Sequence, residues 1–139
     1  MNRVWPEVAR TAGRLTLGAF LCAAGIGHLL VPQEFLGQVP TWLPARLPIV
    51  LVSGVVELGL GGALIGLRRH RVVLGWIAAA FLVLVFPGNI YQAVAGTDAF
   101  GLRTDAARWG RLLFQPLLVA WALWATGAWA ARQPPQARP

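Results

Sequence analysis

A few side chains in this strongly apolar chain are able to do chemistry. Glu57, in "SGVVELGLGG", and His28, in "GIGHLLV", can exchange protons. Asn89 and Gln115 carry amides that both donate and accept, and Arg111 carries a fork of donors. Trp42, clamped between Pro40 and Pro44 in "VPTWLP", offers a ring that could lid a pocket. Acid, imidazole, amides and guanidinium together suit a site that grips the polar head of an otherwise apolar molecule and handles protons on it. Other chemistries lack their residues. Cys22 is the single cysteine, so neither an internal disulfide nor a C-x-x-C thiol pair can form. No cluster suits zinc or another metal, and no glycine loop reads as a nucleotide site.

Membrane-spanning helices must position these residues. Of 139 residues, 57% are hydrophobic and only 12% charged, far too apolar for a soluble domain of this length. Four apolar runs are long enough to cross a hydrocarbon core, at about 14–31, 47–67, 72–94 and 108–131. The fold expected is all-α: a polytopic integral membrane protein, one four-transmembrane-helix bundle over residues 1–131. Pro87 lies inside the third run and Pro116 near the start of the fourth. Each frees the carbonyl four residues back, at Val83 and Leu112, beside the polar positions; the alternative for Pro87 is that it ends its helix before "GN". A signal peptide cut near Cys22 is the alternative for the first run, but its apolar stretch continues past that point through Val31.

The charge distribution orients the spans. A formal charge of +7 comes from 12 arginines and no lysine, set against five acids. The arginines lie between the apolar runs rather than in a patch with exposed aromatics, which excludes a nucleic-acid partner. Arg3, Arg10, Arg14, Arg68, Arg69, Arg71, Arg132 and Arg138 fall on one side, and Arg46, Arg103, Arg108 and Arg111 on the other. Both termini are therefore expected in the cytoplasm, with the chain in the bacterial inner membrane. The proline-rich tail 132–139 is expected to be disordered. Trp42 and Trp109 mark the outer interface, Trp5 and Trp129 the inner.

Depth follows from helical rise. Glu57 is ten residues past Leu47, about 15 Å in and near the midplane; His28 is about 5 Å in, and Asn89 and Gln115 are roughly 7–10 Å in, all measured from the outer face. Helical spacing then aligns them. Gly18, Cys22, Gly25 and His28 form one stripe; Ser53, Glu57 and Gly61 form another, with Gly54 alongside and Gly62 and Gly66 beyond. Phe86, Asn89 and Ala93 align in the third helix, and Arg108, Arg111, Gln115, Leu118 and Ala122 in the fourth. Small residues draw membrane helices together, so Glu57 is expected to face the bundle interior beside His28. An acid at that depth is retained for a partner or for function. The plainer reading is that these polar groups only hydrogen-bond the four helices to one another.

The stretches "GIGHLLVPQEFLGQVPTWLP", "SGVVELGLGG", "VFPGNIYQAV" and "RLLFQPLL" resemble the DoxX-like family of small four-helix bacterial membrane proteins, over about Arg14 to Thr126. The family is named for an association with a quinone-reducing sulfur oxidoreductase, and some relatives act in membrane redox complexes, so the resemblance implies a role beside such a complex. It does not imply an enzyme acting alone: the chain has no cysteine pair, and His28 and His70 fall on opposite sides, which excludes paired haem ligation. The reading reached is an accessory subunit of a membrane redox system. It holds a quinone or similar lipophile among His28, Glu57, Asn89, Gln115, Arg111 and Trp42 and has no cofactor of its own. Its partners would be the lipid bilayer, the lipophile and oxidoreductase subunits. The alternatives are a small carrier or sensor of an apolar molecule, and an assembly factor with a purely structural polar core.

Overall fold

A computed structural model describes residues 4–98, 101 and 103–132. All regular structure among them is helical: α1 (Val4–Leu30), α2 (Pro32–Phe35), a 3-10 turn at Leu36–Gln38, α3 (Arg46–Gly66), a 3-10 turn at Arg68–His70, α4 (Arg71–Ala95), α5 (Asp105–Thr126) and α6 (Ala128–Ala131). Three helical stretches are long and apolar enough to cross a membrane: Pro6–Leu30, Arg46–Gly66 and Arg68–Ala95. The α5 helix has 22 residues but carries Asp105, Arg108, Arg111 and Gln115 in its first half and does not reach the same apolarity.

The termini of these helices have local causes. Pro32 stops α1, because a proline disfavours helical geometry in the residue before it and supplies no N–H. Gly96 and Gly127, both left-handed with φ of 65° and 74°, close α4 and α5. Thr104 caps α5, its hydroxyl accepting from the Ala107 N–H at 3.2 Å. Two boundaries differ from the hydropathy reading. The first helix begins at Val4 rather than near Arg14, and the last long helix ends at Thr126 rather than at Ala131, with only the short α6 beyond Gly127. Hydropathy marks where a helix can be buried in lipid; hydrogen bonding carries α1 further into its polar end. Pro87 sits inside a continuous α4 and does not end it. The tail expected to be disordered lies, beyond Arg132, outside the described residues, as does the Trp5 side chain.

Two antiparallel pairs make up the core. The α1–α3 pair is held by small residues meeting backbone to backbone. A β-carbon on Gly25 would lie 2.6 Å from the Gly54 carbonyl oxygen, and one on Gly18 would lie 2.8 Å from that of Gly61. The α4–α5 pair meets through Gly75 against Thr126 at one end and through amide hydrogen bonds at the other. Leu17, Leu21, Leu60, Leu64, Ala78, Leu82, Leu118 and Ala122 join the pairs in one apolar core, with α5 also packed on α1. Contact between α3 and α4 is sparse. At the end where α1 turns over, a smaller cluster of Phe35, Val39 and Val50 seats the connecting segment on α3.

Arg14 does not lie in a solvated tail. It is buried within α1, at the end of the bundle remote from His28, and donates to the Leu64 carbonyl and, at 3.3 Å, to that of Ile65. These carbonyls belong to the last turn of α3, where intrahelical donors run out. The guanidinium therefore serves as a side-chain cap on a neighbouring helix.

Candidate functional site

The wall between the two helix pairs is incomplete, and the gap is a cavity of about 900 Å³. His28, Trp42, Glu57, Asn89, Arg111 and Gln115, the side chains singled out above for their chemistry, all line it. Its remaining walls are largely apolar, among them Phe20, Leu21, Phe81, Phe114 and Leu118. Val52 on α3 and Leu84 on α4 also line it and are 62% and 76% exposed, so the cavity opens sideways where α3 and α4 stand apart. That volume is in the range of small-molecule sites.

The α1–α3 seam builds one side. Gly54 faces the β-carbon of His28 so closely that a side chain there would meet it at 2.6 Å. This approach brings Glu57, one turn further along α3, to His28: Oε2 lies 2.9 Å from Nδ1. The same Nδ1 is 2.9 Å from the Ala24 carbonyl oxygen one turn back in α1. The carbonyl takes the better-aligned hydrogen bond, so Oε2 is close to the ring nitrogen yet buried without an aligned donor. Phe35 closes over the imidazole, with ring centroids 3.6 Å apart and planes tilted by 31°. Acid and imidazole, near the midplane and the surface in sequence terms, are thus one unit.

The α4–α5 pair builds the other side, and here the polar groups answer one another. Asn89 Nδ2 donates to Gln115 Oε1 at 3.0 Å, and Gln115 Nε2 donates to the Leu82 carbonyl at 2.7 Å. Gln115 therefore reaches the carbonyl beside the one that Pro87 frees, at Leu82 rather than Val83. Arg111 donates to Gln92 Oε1 at 3.1 Å. With the Gln38 amide turned oxygen-first, as its neighbours require, it also accepts from both Arg111 terminal nitrogens at 3.2 and 2.8 Å. Arg108 shares a helix face with Arg111 in the sequence but turns away, pairing with Asp98 at 2.8 Å and Asp105 at 2.7 Å.

The rim is tied down by residues whose role the sequence reading did not assign. Arg46 donates to the carbonyls of Val39 at 3.1 Å and Leu36 at 2.5 Å, clamping the connecting segment onto the first turn of α3. Thr41 donates its N–H to Tyr91 Oη at 3.3 Å, and Gly88 leaves room for the Gln38 carbonyl against α4. Trp42 is 76% exposed, so it stands at the rim and does not cap the cavity. Gln92, 2% exposed, was legible as the residue three after Asn89 on the same face; Gln38 and Phe35 come from the connection, where helical phase carries no signal.

Among the described residues no three His, Cys, Asp or Glu side chains gather as a metal ion requires. His70 lies in the turn after α3, at the opposite end of that helix from the Gly54 contact with His28. The model of a domain of unknown function, DUF8561, matches residues 17–126, a stretch that contains every cavity residue named here. No curated protein and no solved structure matches the chain.

Proposed function

We propose a function for this chain from its site, since the chain belongs to the DUF8561 family, a domain of unknown function. It is a four-span protein of the bacterial inner membrane with both termini cytoplasmic, and it holds an amphipathic lipophile of quinone type in the cavity at its outer end. It acts as an accessory subunit of a membrane redox system. Electrons come from partner subunits, and the His28–Glu57 pair handles protons at the head group. The resemblance to DoxX-like proteins points the same way.

The observation that carries this reading is the shape of the cavity: about 900 Å³, apolar around its body, open sideways between α3 and α4, with an acid–imidazole pair on one wall. A molecule with a polar head and an apolar body fits that distribution. In favour of a fourth span, α5 is about 33 Å long at 1.5 Å per residue, enough for a core of roughly 30 Å. Its charges are confined to one end, where Arg108 is paired and Arg111 turns inward to Gln92.

A structural reading is favoured at one place only. The Asn89–Gln115–Leu82 and Arg111–Gln92 hydrogen bonds are satisfied within the α4–α5 pair and suffice as helix glue. The test is titration of the purified protein in mild detergent with decyl-benzoquinone, following tryptophan quenching in the wild type, Trp42→Phe, Glu57→Gln and Gln115→Ala. Saturable quenching that Trp42→Phe diminishes and Glu57→Gln weakens supports the lipophile site. Non-saturating traces of equal slope in all four proteins rule out a quinone in the cavity and favour the structural role.

A further inference from the structure

His28 has a tautomer dictated by its neighbours. Its Nδ1 faces two oxygens at 2.9 Å, the Ala24 carbonyl and Glu57 Oε2. A carbonyl oxygen can only accept, so Nδ1 carries the proton. A proton placed on Oε2 and aimed at Nδ1 would leave the nitrogen lone pair against the Ala24 oxygen. Oε2 accordingly sits beside Nδ1 without a hydrogen bond of its own. In the neutral ring Nε2 is then the nitrogen left to accept, on a ring that lines the cavity and has Phe35 tilted against it by 31° at 3.6 Å. The carbonyl behind the protonated Nδ1, with a carboxylate oxygen beside it, makes the far nitrogen a better acceptor, by the logic of second-shell oxygens behind metal-binding histidines.

The amides and the guanidinium of the cavity each have a protein partner already. Gln115 spends its Nε2 on Leu82, Asn89 donates to Gln115, and Arg111 donates to Gln92 and Gln38. A head group made only of carbonyls could reach the remaining N–H groups of these side chains but offers no donor to His28 Nε2.

We propose that the preferred occupant is a hydroxyl-headed amphiphile, a phenol or quinol rather than a quinone, whose O–H donates to His28 Nε2, with the Ala24 carbonyl fixing the tautomer and Glu57 as the positioning residue whose carboxylate beside Nδ1 strengthens Nε2 as an acceptor. This rests on the lipophile reading above and names the ligand class for it. The apolar body leaves the cavity between Val52 and Leu84, toward lipid. No redox step is involved in the binding itself.

The test uses redox-inert probes: para-decylphenol, its methyl ether, which keeps the body but removes the donor, and decyl-benzoquinone for comparison. Each is titrated into the full-length protein. In the wild type the phenol should bind at least about tenfold tighter than the ether, the span of one hydrogen bond well made. Glu57→Gln, which keeps an acceptor but not the carboxylate, should cut that ratio several-fold, and His28→Leu, which removes the acceptor, should bring it close to one. Nitrogen NMR on histidine-labelled protein in a His70→Gln background should give Nδ1 protonated and Nε2 not, independently of any ligand. Equal binding of phenol, ether and quinone would overturn the hydroxyl preference while leaving the lipophile site standing. Saturation by none of the three would overturn both. A His28 spectrum with the proton on Nε2 would overturn the assignment whatever the titrations gave.

Discussion

Gly25 and Gly54 meet so closely that a β-carbon on Gly25 would lie 2.6 Å from the Gly54 carbonyl oxygen and 2.9 Å from the Leu58 nitrogen. Both obstacles are backbone, so neither can swing aside. This contact sets the distance between α1 and α3, and through it the distance between His28 and Glu57. Gly25→Ala should therefore destabilise the protein by about 1–3 kcal/mol, the range for an overpacked interior, and separate the acid from the imidazole. Gly62, with nothing within 4 Å of an added β-carbon, is the control. Gly62→Ala should leave stability unchanged or raise it by up to about 1 kcal/mol through helix propensity. Thermal unfolding of the two variants in the same detergent checks the contrast; equal effects would mean that the seam is not what spaces the helices.

The two walls of the cavity should respond differently to loss of their polar groups. Gln115→Leu removes the acceptor for Asn89 Nδ2 and the donor to Leu82, and should cost about 1–2 kcal/mol of stability. Glu57→Leu leaves His28 its Ala24 carbonyl and orphans no donor, so its cost should stay below about 1 kcal/mol while the preference for the phenol over its ether falls. Unfolding midpoints and probe titrations on both variants separate strut from site. A Glu57→Leu protein less stable than Gln115→Leu would assign the carboxyl to structure.

Ala45 is the one non-glycine residue with positive φ among those described, at 58°, and it immediately precedes α3. A left-handed conformation costs an L-residue about 1–2 kcal/mol, partly offset in a glycine variant by the greater freedom of its unfolded chain. Ala45→Gly should thus stabilise by about 0.5–1 kcal/mol, and Ala45→Val should destabilise. Because Arg46 ties this corner to Leu36 and Val39, the glycine variant should also leave ligand affinity unchanged. A lower melting temperature for Ala45→Gly would contradict the account of this corner.

Topology can be read with single cysteines in a Cys22→Ser background. The arginine balance expects Arg69→Cys, in the turn between α3 and α4, to be sealed from membrane-impermeant maleimide in intact cells. Asp98→Cys, past the end of α4, should label from outside. Labelling at position 69 with protection at position 98 would invert the orientation and put the cavity at the cytoplasmic face. Labelling of both from the same side would remove α4 as a complete crossing.

The apolar runs and the inward stripes of small and polar residues were legible in the sequence, because each depends on neighbours three or four positions away in one helix; the start of α1 and the end of α5 were not. Glycine at 18, 25, 54 and 61 marks the faces that can approach closely, and Glu57 and His28 sit on those same faces, so local periodicity made them able to meet. What the tertiary structure alone decided is which groups answer which. The offset and rotation between helices send Gln115 to Leu82 and Asn89, Arg111 to Gln92 and Gln38, and Arg108 away to Asp98 and Asp105. They also bring Arg14 onto the last turn of α3, though its position in the sequence reads as a solvated flank. The physical reason is range: a helix determines the phase of its own side chains, but a hydrogen bond between helices depends on their relative translation to within a fraction of an ångström, and no single segment encodes that.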